Sequence, residues 1–295
     1  MGLNASCLTL ITLARESGAD FSRVATIGRQ LLVGLDEIEA FFRQRGRHDI
    51  AQRVAEDARD GYCEALLRTA FGAQVVHSID ASDYENASIV HDMNTPIGVH
   101  EPYSVILDLG TLEHIFNVPV ALDNVAALCA PGGTIMHMLP GNNCSGHGFY
   151  QFSPELFFQV YSEARGYSGT RVFAVPMSMQ GAWYEVQAPH LLKARVNITS
   201  RDELYFMVIT RKAMTAAEPL TQKAVQQSDY AVMWAADNAP AKKQRRRNAV
   251  EHWLWSVTNT MRHRRKMARR DATSRRADMI RRSVLELAPR FDAPA

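Results

Sequence analysis

Short runs of β-branched and aliphatic residues alternate along this chain with stretches whose apolar positions recur every three to four residues. A period of two marks a strand and a period near 3.6 a helix, so the alternation predicts βαβ units and a parallel sheet. The strand-like runs are Arg23-Val-Ala-Thr-Ile-Gly28, Val75-Val-His-Ser-Ile-Asp80, Ala87-Ser-Ile-Val-His-Asp92, Ser104-Val-Ile-Leu-Asp108, Gly133-Thr-Ile-Met-His-Met-Leu139, Thr170-Arg-Val-Phe-Ala-Val175 and Leu204-Tyr-Phe-Met-Val-Ile-Thr210. The last two have no evident helix between them and are expected to pair antiparallel. The fold class that follows is α/β: a doubly wound, Rossmann-like sheet of seven strands, mostly parallel with an antiparallel last strand.

Helix signals fill the gaps. Asp36-Glu-Ile-Glu39 reads as a capping-box-like start, with Asp36 accepting from free first-turn amides and Gly46 closing the helix. A second helical stretch runs from about Ile50 to Phe71, and a third from Pro119 to Cys129 before the Pro131-Gly132-Gly133 turn. Ser153-Pro154-Glu155 gives an N-cap, a proline at the first position and an acid near the positive end. That helix is expected to bury Phe157, Val160, Tyr161 and Ala164 and to stop at Gly166. The resulting organisation is an N-terminal helix over 1–20, a Rossmann-like domain over 21–212, a linker over 213–241 and a basic helical tail over 242–295. In the tail Val250, Trp253, Leu254 and Val257 share a helical face.

Composition changes this picture in two places. With 46% hydrophobic and 22% charged residues the chain is globular rather than disordered. The net charge of +2 hides an asymmetry: Lys242 to Arg282 hold 15 Lys and Arg against 3 acidic residues, a local +12 that leaves the rest near −10. Such a tail suits an anionic partner, whether nucleic acid, lipid or an acidic protein surface, or folds back on the acidic body. Cys7, Cys63, Cys129 and Cys144 are scattered without ligand spacing, so neither a disulfide framework nor a metal centre is expected. No run approaches a membrane span and no signal core is evident, so a cytoplasmic location is expected.

In open α/β sheets ligands bind beyond the carboxyl ends of the strands. The residues there are Gly28-Arg29-Gln30, Asp80-Ala81-Ser82, Asp92-Met93-Asn94, Asp108-Leu109-Gly110 and Pro140-Gly141-Asn142-Asn143. Asp80, after the second strand, suits two vicinal ribose hydroxyls. Asp92 suits an adenine amino group, with Met93 against the base. Each of these carboxylates is also a common turn-former. Glu113, His114, His147 and Tyr150 are the candidates for proton transfer or substrate contact, and Asn142 and Asn143 offer paired donors and acceptors to a polar substrate or, equally, build a turn.

The run Asp108-Leu-Gly-Thr-Leu-Glu113-His114, the helix from Pro119, the Pro131-Gly132-Gly133 turn and His147-Gly-Phe-Tyr-Gln-Phe-Ser-Pro-Glu155 together resemble class I S-adenosylmethionine-dependent methyltransferases of the small-molecule type, over roughly residues 70–212. The resemblance implies S-adenosylmethionine as cofactor, bound by Gly28, Asp80, Ala81, Asp92, Met93, Asp108 and Gly110. It implies methyl transfer to a small polar, for instance sugar-containing, acceptor, with Glu113, His114 and His147 as catalytic groups and Asn142, Asn143 and Tyr150 on the substrate. The pattern departs from the family after the first strand, where one glycine stands for three and Arg29 and Gln30 bring long side chains. Two further readings stay open: a non-catalytic binding module acting through the basic tail, and a nucleic-acid methyltransferase anchored by it.

Overall fold

A computed structural model of the chain describes residues 2–177, 182–192, 196, 198, 200, 202–213, 218–228 and 279–283. In chain order the elements are β1 (Gly2–Leu3), α1 (Ala5–Glu16), β2 (Arg23–Ile27), β3 (Leu31–Leu32), α2 (Leu35–Gln44), α3 (His48–Asp57), α4 (Glu64–Phe71), β4 (Val75–Asp80), β5 (Ile89–Val90) and β6 (Tyr103–Asp108). A 3-10 turn, Leu112–His114, leads to α5 (Val118–Leu128), β7 (Cys129–Asn142) and α6 (Pro154–Val160). A second such turn, Glu163–Arg165, precedes β8 (Tyr167–Pro176), β9 (Ala182–Val186), α7 (Pro189–Leu192), β10 (Leu204–Lys212) and β11 (Met279–Ser283).

The main sheet runs in the order β11-β9-β8-β10-β7-β6-β2-β4-β5, and β1 pairs β3 in a separate two-stranded ribbon. The pairs from β5 to β7 are parallel, whereas β10 lies antiparallel to both β7 and β8. Chain order reverses between β2 and β6, which is where a crevice opens in such sheets. Alternation along each strand loads both faces. Val105 and Leu107 of β6 pack with α1 to α4, and Ile106 between them packs with α5 and α6.

The sheet has nine strands and is mixed, which corrects the expected seven. Both additions extend the β8 edge: β9 pairs β8 and β11 pairs β9, each antiparallel. An open edge is a liability, and these strands cover it. Trp183 anchors β9, being buried against Phe173 at 5.4 Å between ring centroids. Five residues of the segment expected to be helical are therefore a strand, and their Arg282 meets Glu185 of β9 at 3.0 Å. The rest of the expected basic tail, including its amphipathic face at Val250 to Val257, lies outside the described residues.

Local expectations are corrected in four places. The stretch 50–71 is two helices, broken around Gly61 at φ 83°. The third strand shrinks to Ile89–Val90. In α2 the capping position is Gly34, in a left-handed conformation with no side-chain cap, so Asp36 is a first-turn acid favoured by the helix dipole instead. Helix α6 begins as read, with Ser153 accepting from the Glu155 N–H, but ends at Val160, leaving Ala164 exposed in the turn that follows. Among the described residues no helix is long and apolar enough to cross a membrane.

Candidate active site

A cleft of about 350 Å³ opens at the carboxyl ends of β2, β4 and β5, beside the turn after β6. Its volume lies within the usual range for small-molecule sites, roughly 300–1,000 Å³. Gly28, Asp80, Ala81, Asp92 and Met93, all singled out in the sequence, line it, and so does His114.

The loop after β2 explains how the cleft exists with one glycine. Gly28 sits at φ 73°, and a Cβ there would stand 2.6 Å from Thr111 Oγ1, so both conformation and space require glycine. Arg29 turns its guanidinium aside. It meets Glu64 at 2.8 Å and Asp60 at 3.1 Å, donates to the Glu85 carbonyl and stacks on the Tyr62 ring at 3.8 Å. Its backbone N–H is left to donate to Asp80 Oδ2 at 3.3 Å. Gln30 is buried, and its Nε2 donates to the carbonyls of Ile27 and Gly28 and to Thr111 Oγ1. Its Oε1 is buried without a hydrogen-bond partner. The long side chains expected to crowd the cleft thus clamp its loop.

At the far wall Asp92 is exposed, and its Oδ1 accepts from the backbone and side-chain amides of Asn94, which hold its carboxyl below the usual range. Met93 is buried, with Asn124 Nδ2 donating to its carbonyl at 3.3 Å. Asp108 and Gly110, expected at the cofactor, are not on the cleft wall. Asp108 is fully buried: Oδ1 accepts from the N–H groups of Thr111 and Leu112, and Oδ2 pairs with His137 Nδ1 at 2.7 Å. His137 Nε2 meets Tyr161 Oη at 2.6 Å. Buried polar groups find partners, and the strongest ones available to Asp108 lie inward, so it caps the turn rather than facing a ligand.

Five residues on, Glu113 is equally buried yet neither carboxylate oxygen has a hydrogen-bond partner among the described residues. Burial, and secondarily the charge of Asp108, pushes its carboxyl up to about 8. His147 Nε2 stands 3.4 Å and His114 Nε2 3.9 Å from Glu113 Oε1, and the two imidazole centroids are 5.2 Å apart. Burial, followed by the neighbouring His147, lowers the His114 pKa. The three expected catalytic residues therefore form one cluster, of which His114 reaches the cleft.

The loop bearing His147 is stitched to that turn. The N–H groups of Phe149 and Tyr150 donate to the Glu113 carbonyl at 2.7 and 3.3 Å, and Tyr150 Oη donates to the Phe116 carbonyl. Gly148, at φ 75°, has no room for a Cβ, which would stand 2.7 Å from that same carbonyl oxygen. Tyr150, Asn142 and Asn143, expected on the substrate, are instead spent on loop structure. Asn142 Nδ2 donates to Ser200 Oγ, and Asn143, at φ 59°, donates to the carbonyls of Ser200 and Asp202. Cleft residues outside the sequence's candidates include Leu31, Glu85, His91, Thr111 and Ile115. Thr111 stood within the quoted motif, and its signal was its place one turn before Glu113 and His114.

A parallel doubly wound core with an antiparallel strand inserted beside its last parallel one, and a crevice at the reversal point, defines a Rossmann-like ligand-binding domain. The profile of a methyltransferase-domain family matches residues 39–207. That span exceeds half of the chain, and the chain belongs to this family. No curated protein matches it. Among solved structures, the N-methyltransferase NodS from Bradyrhizobium japonicum is 16% identical, with 70% of this chain and 93% of that one covered and a TM-score of 0.39. A putative methyltransferase from Bacillus halodurans is 9% identical, with 69% and 98% covered and a TM-score of 0.38. The Burkholderia thailandensis 1,6-didemethyltoxoflavin-N1-methyltransferase is 13% identical, with 71% and 78% covered and a TM-score of 0.35.

The cofactor the family implies, S-adenosylmethionine, can be tested against these residues. Asp80 offers a carboxylate where a ribose diol needs acceptors, and Met93 an apolar wall. The residues fit the group, although the glycine-rich pattern is absent.

Proposed function

We propose that this chain transfers a methyl group from S-adenosylmethionine to a small polar acceptor, for instance a sugar-containing one, that enters the cleft beside His114. The observation that supports this most is the meeting, at one cleft, of Asp80 and His114, with Glu113 and His147 clustered behind His114. The cofactor, when bound, supplies an electrophilic methyl on sulfur. Asp80 holds the ribose and Met93 packs on the base. Gly28, Ala81 and Asp92 shape the walls.

Methyl transfer to a hydroxyl or amine needs the acceptor aligned and its proton removed. His114, kept neutral by its surroundings, takes that proton at the cleft wall. Glu113 and His147 stand behind the imidazole. Asp108 orients the turn that carries Glu113 and His114.

The test is transfer of labelled methyl from S-adenosylmethionine to a panel of hydroxylated and amine acceptors, with RNA and DNA alongside. Label in a small acceptor, lost in His114→Ala, is expected. Label confined to nucleic acid, or to no acceptor while the cofactor binds, would count against this reading.

A further inference from the structure

We infer that Glu113, His114 and His147 form a binding site for one divalent transition-metal ion of the zinc type, with an open coordination position toward the cleft. A buried Glu whose two oxygens lack hydrogen-bond partners is an unsatisfied group in a low-dielectric pocket, and such groups are rare in folded chains. Two imidazole nitrogens flank it, and one ligand atom from each of the three residues lies within 4.8 Å of the others.

Ligands bound to zinc at about 2.0–2.2 Å in tetrahedral geometry stand roughly 3.3–3.6 Å from one another. The His147 to Glu113 separation of 3.4 Å already meets that spacing, while the 3.9 Å of His114 and the His114–His147 separation, which is within 4.8 Å, close on it by side-chain rotation of His114. Although His147 comes from a distant segment, its position is fixed by the hydrogen bonds of Phe149 and Tyr150 to the Glu113 carbonyl and by Gly148 at their closest approach. Two neutral nitrogens and one oxygen suit a zinc-type ion, whereas magnesium and calcium prefer oxygen shells. Three protein ligands leave a position for water or an acceptor oxygen, as in sites of the His₂Glu kind. Because His114 lines the cleft, that position opens where the acceptor enters. The inference rests on the methyl-transfer reading only for the use made of the open position, and with the ion bound His114 is a ligand rather than the base.

The test is titration of the untagged, chelator-treated full chain with Co²⁺ and then Zn²⁺, followed by calorimetry and by the visible absorption of Co²⁺. One equivalent should bind, displacing Co²⁺ when Zn²⁺ is added, and affinity should fall by about 100-fold or more in Glu113→Gln and in His147→Ala, since even outer-shell losses cost about 10–100-fold. Cooperative thermal unfolding will show that the variants are folded, and His147, half-exposed on a loop, is the safer of the two. Titration of the same samples with S-adenosylhomocysteine reports separately on the methyl-transfer reading. No saturable ion binding by the parent chain, or binding of equal strength in the variants, overturns the site.

Discussion

Asp108 and Glu113 lie on the same strand-turn segment, both carboxylates are fully buried, and their surroundings could hardly differ more. Asp108 has two backbone donors on one oxygen and His137 on the other. Among the described residues neither Glu113 oxygen has a hydrogen-bond partner, and two imidazole nitrogens stand 3.4 and 3.9 Å from one of them. A buried acid whose bonds are complete stabilises the fold, because its desolvation is offset in the native state. One whose bonds are missing destabilises it, and a chain that keeps such a group does so at a site. The contrast separates scaffold from chemistry within one turn.

The contrast breaks most visibly at Asp108. Asp108→Ala removes one member of a buried hydrogen-bonded pair and two turn acceptors, and should cost about 3–5 kcal/mol in urea unfolding. A loss below about 1 kcal/mol would mean that the His137 network is not a support.

Glu113→Gln should act in the opposite direction in chelator-treated protein, raising stability at pH 9 and changing it little at pH 4. The folded-state carboxyl titrates near 8 against an ordinary value of 4.5. Below 4.5 both states hold the proton and no penalty exists. As pH climbs toward 8 the unfolded chain releases a proton that the folded chain retains, so parent stability falls, by at most about 1.4 kcal/mol per pKa unit, and levels off above it. Thermal melts of parent and variant across that window read the difference directly, and parallel curves would remove Glu113 from the argument.

Smaller effects sharpen the picture. Gly148→Ala places a side chain at positive φ against the Glu113 carbonyl, and should cost about 1–2 kcal/mol while loosening the His147 loop. Proteolysis within 143–152, faster in the variant, checks it. Gln30→Ala should weaken S-adenosylhomocysteine by about 3–10-fold, because the Gly28 loop loses the side chain that clamps it.

Much of the frame was legible because it is written in local pattern. Val75–Asp80 is a strand to the residue, and the N-cap at Ser153 forms as its sequence says. Patterns that depend on distant partners were not legible. Asp108 and Asp80 look alike as strand-end acids, but His137 and Tyr161, far along the chain, draw Asp108 inward. Arg29 reads as an obstruction until Asp60, Glu64 and Tyr62 arrive from the break between α3 and α4 to hold it aside. Strand β11 was hidden because its Met279-Ile280 lies in an arginine-rich run whose charge dominates any reading of periodicity. The candidate site divides the same way: Glu113 and His114 are neighbours in sequence, whereas His147 joins them only through the docking of its loop.

The most direct test of the central claim, that the cleft at the ends of β2, β4 and β5 holds the methyl donor, is calorimetric titration of the full chain and of Asp80→Ala with S-adenosylhomocysteine. Saturable one-to-one binding by the parent chain, weakened about 10-fold or more in the variant as a two-acceptor contact is lost, is predicted. No heat at millimolar ligand, or equal affinity in the two proteins, would contradict it.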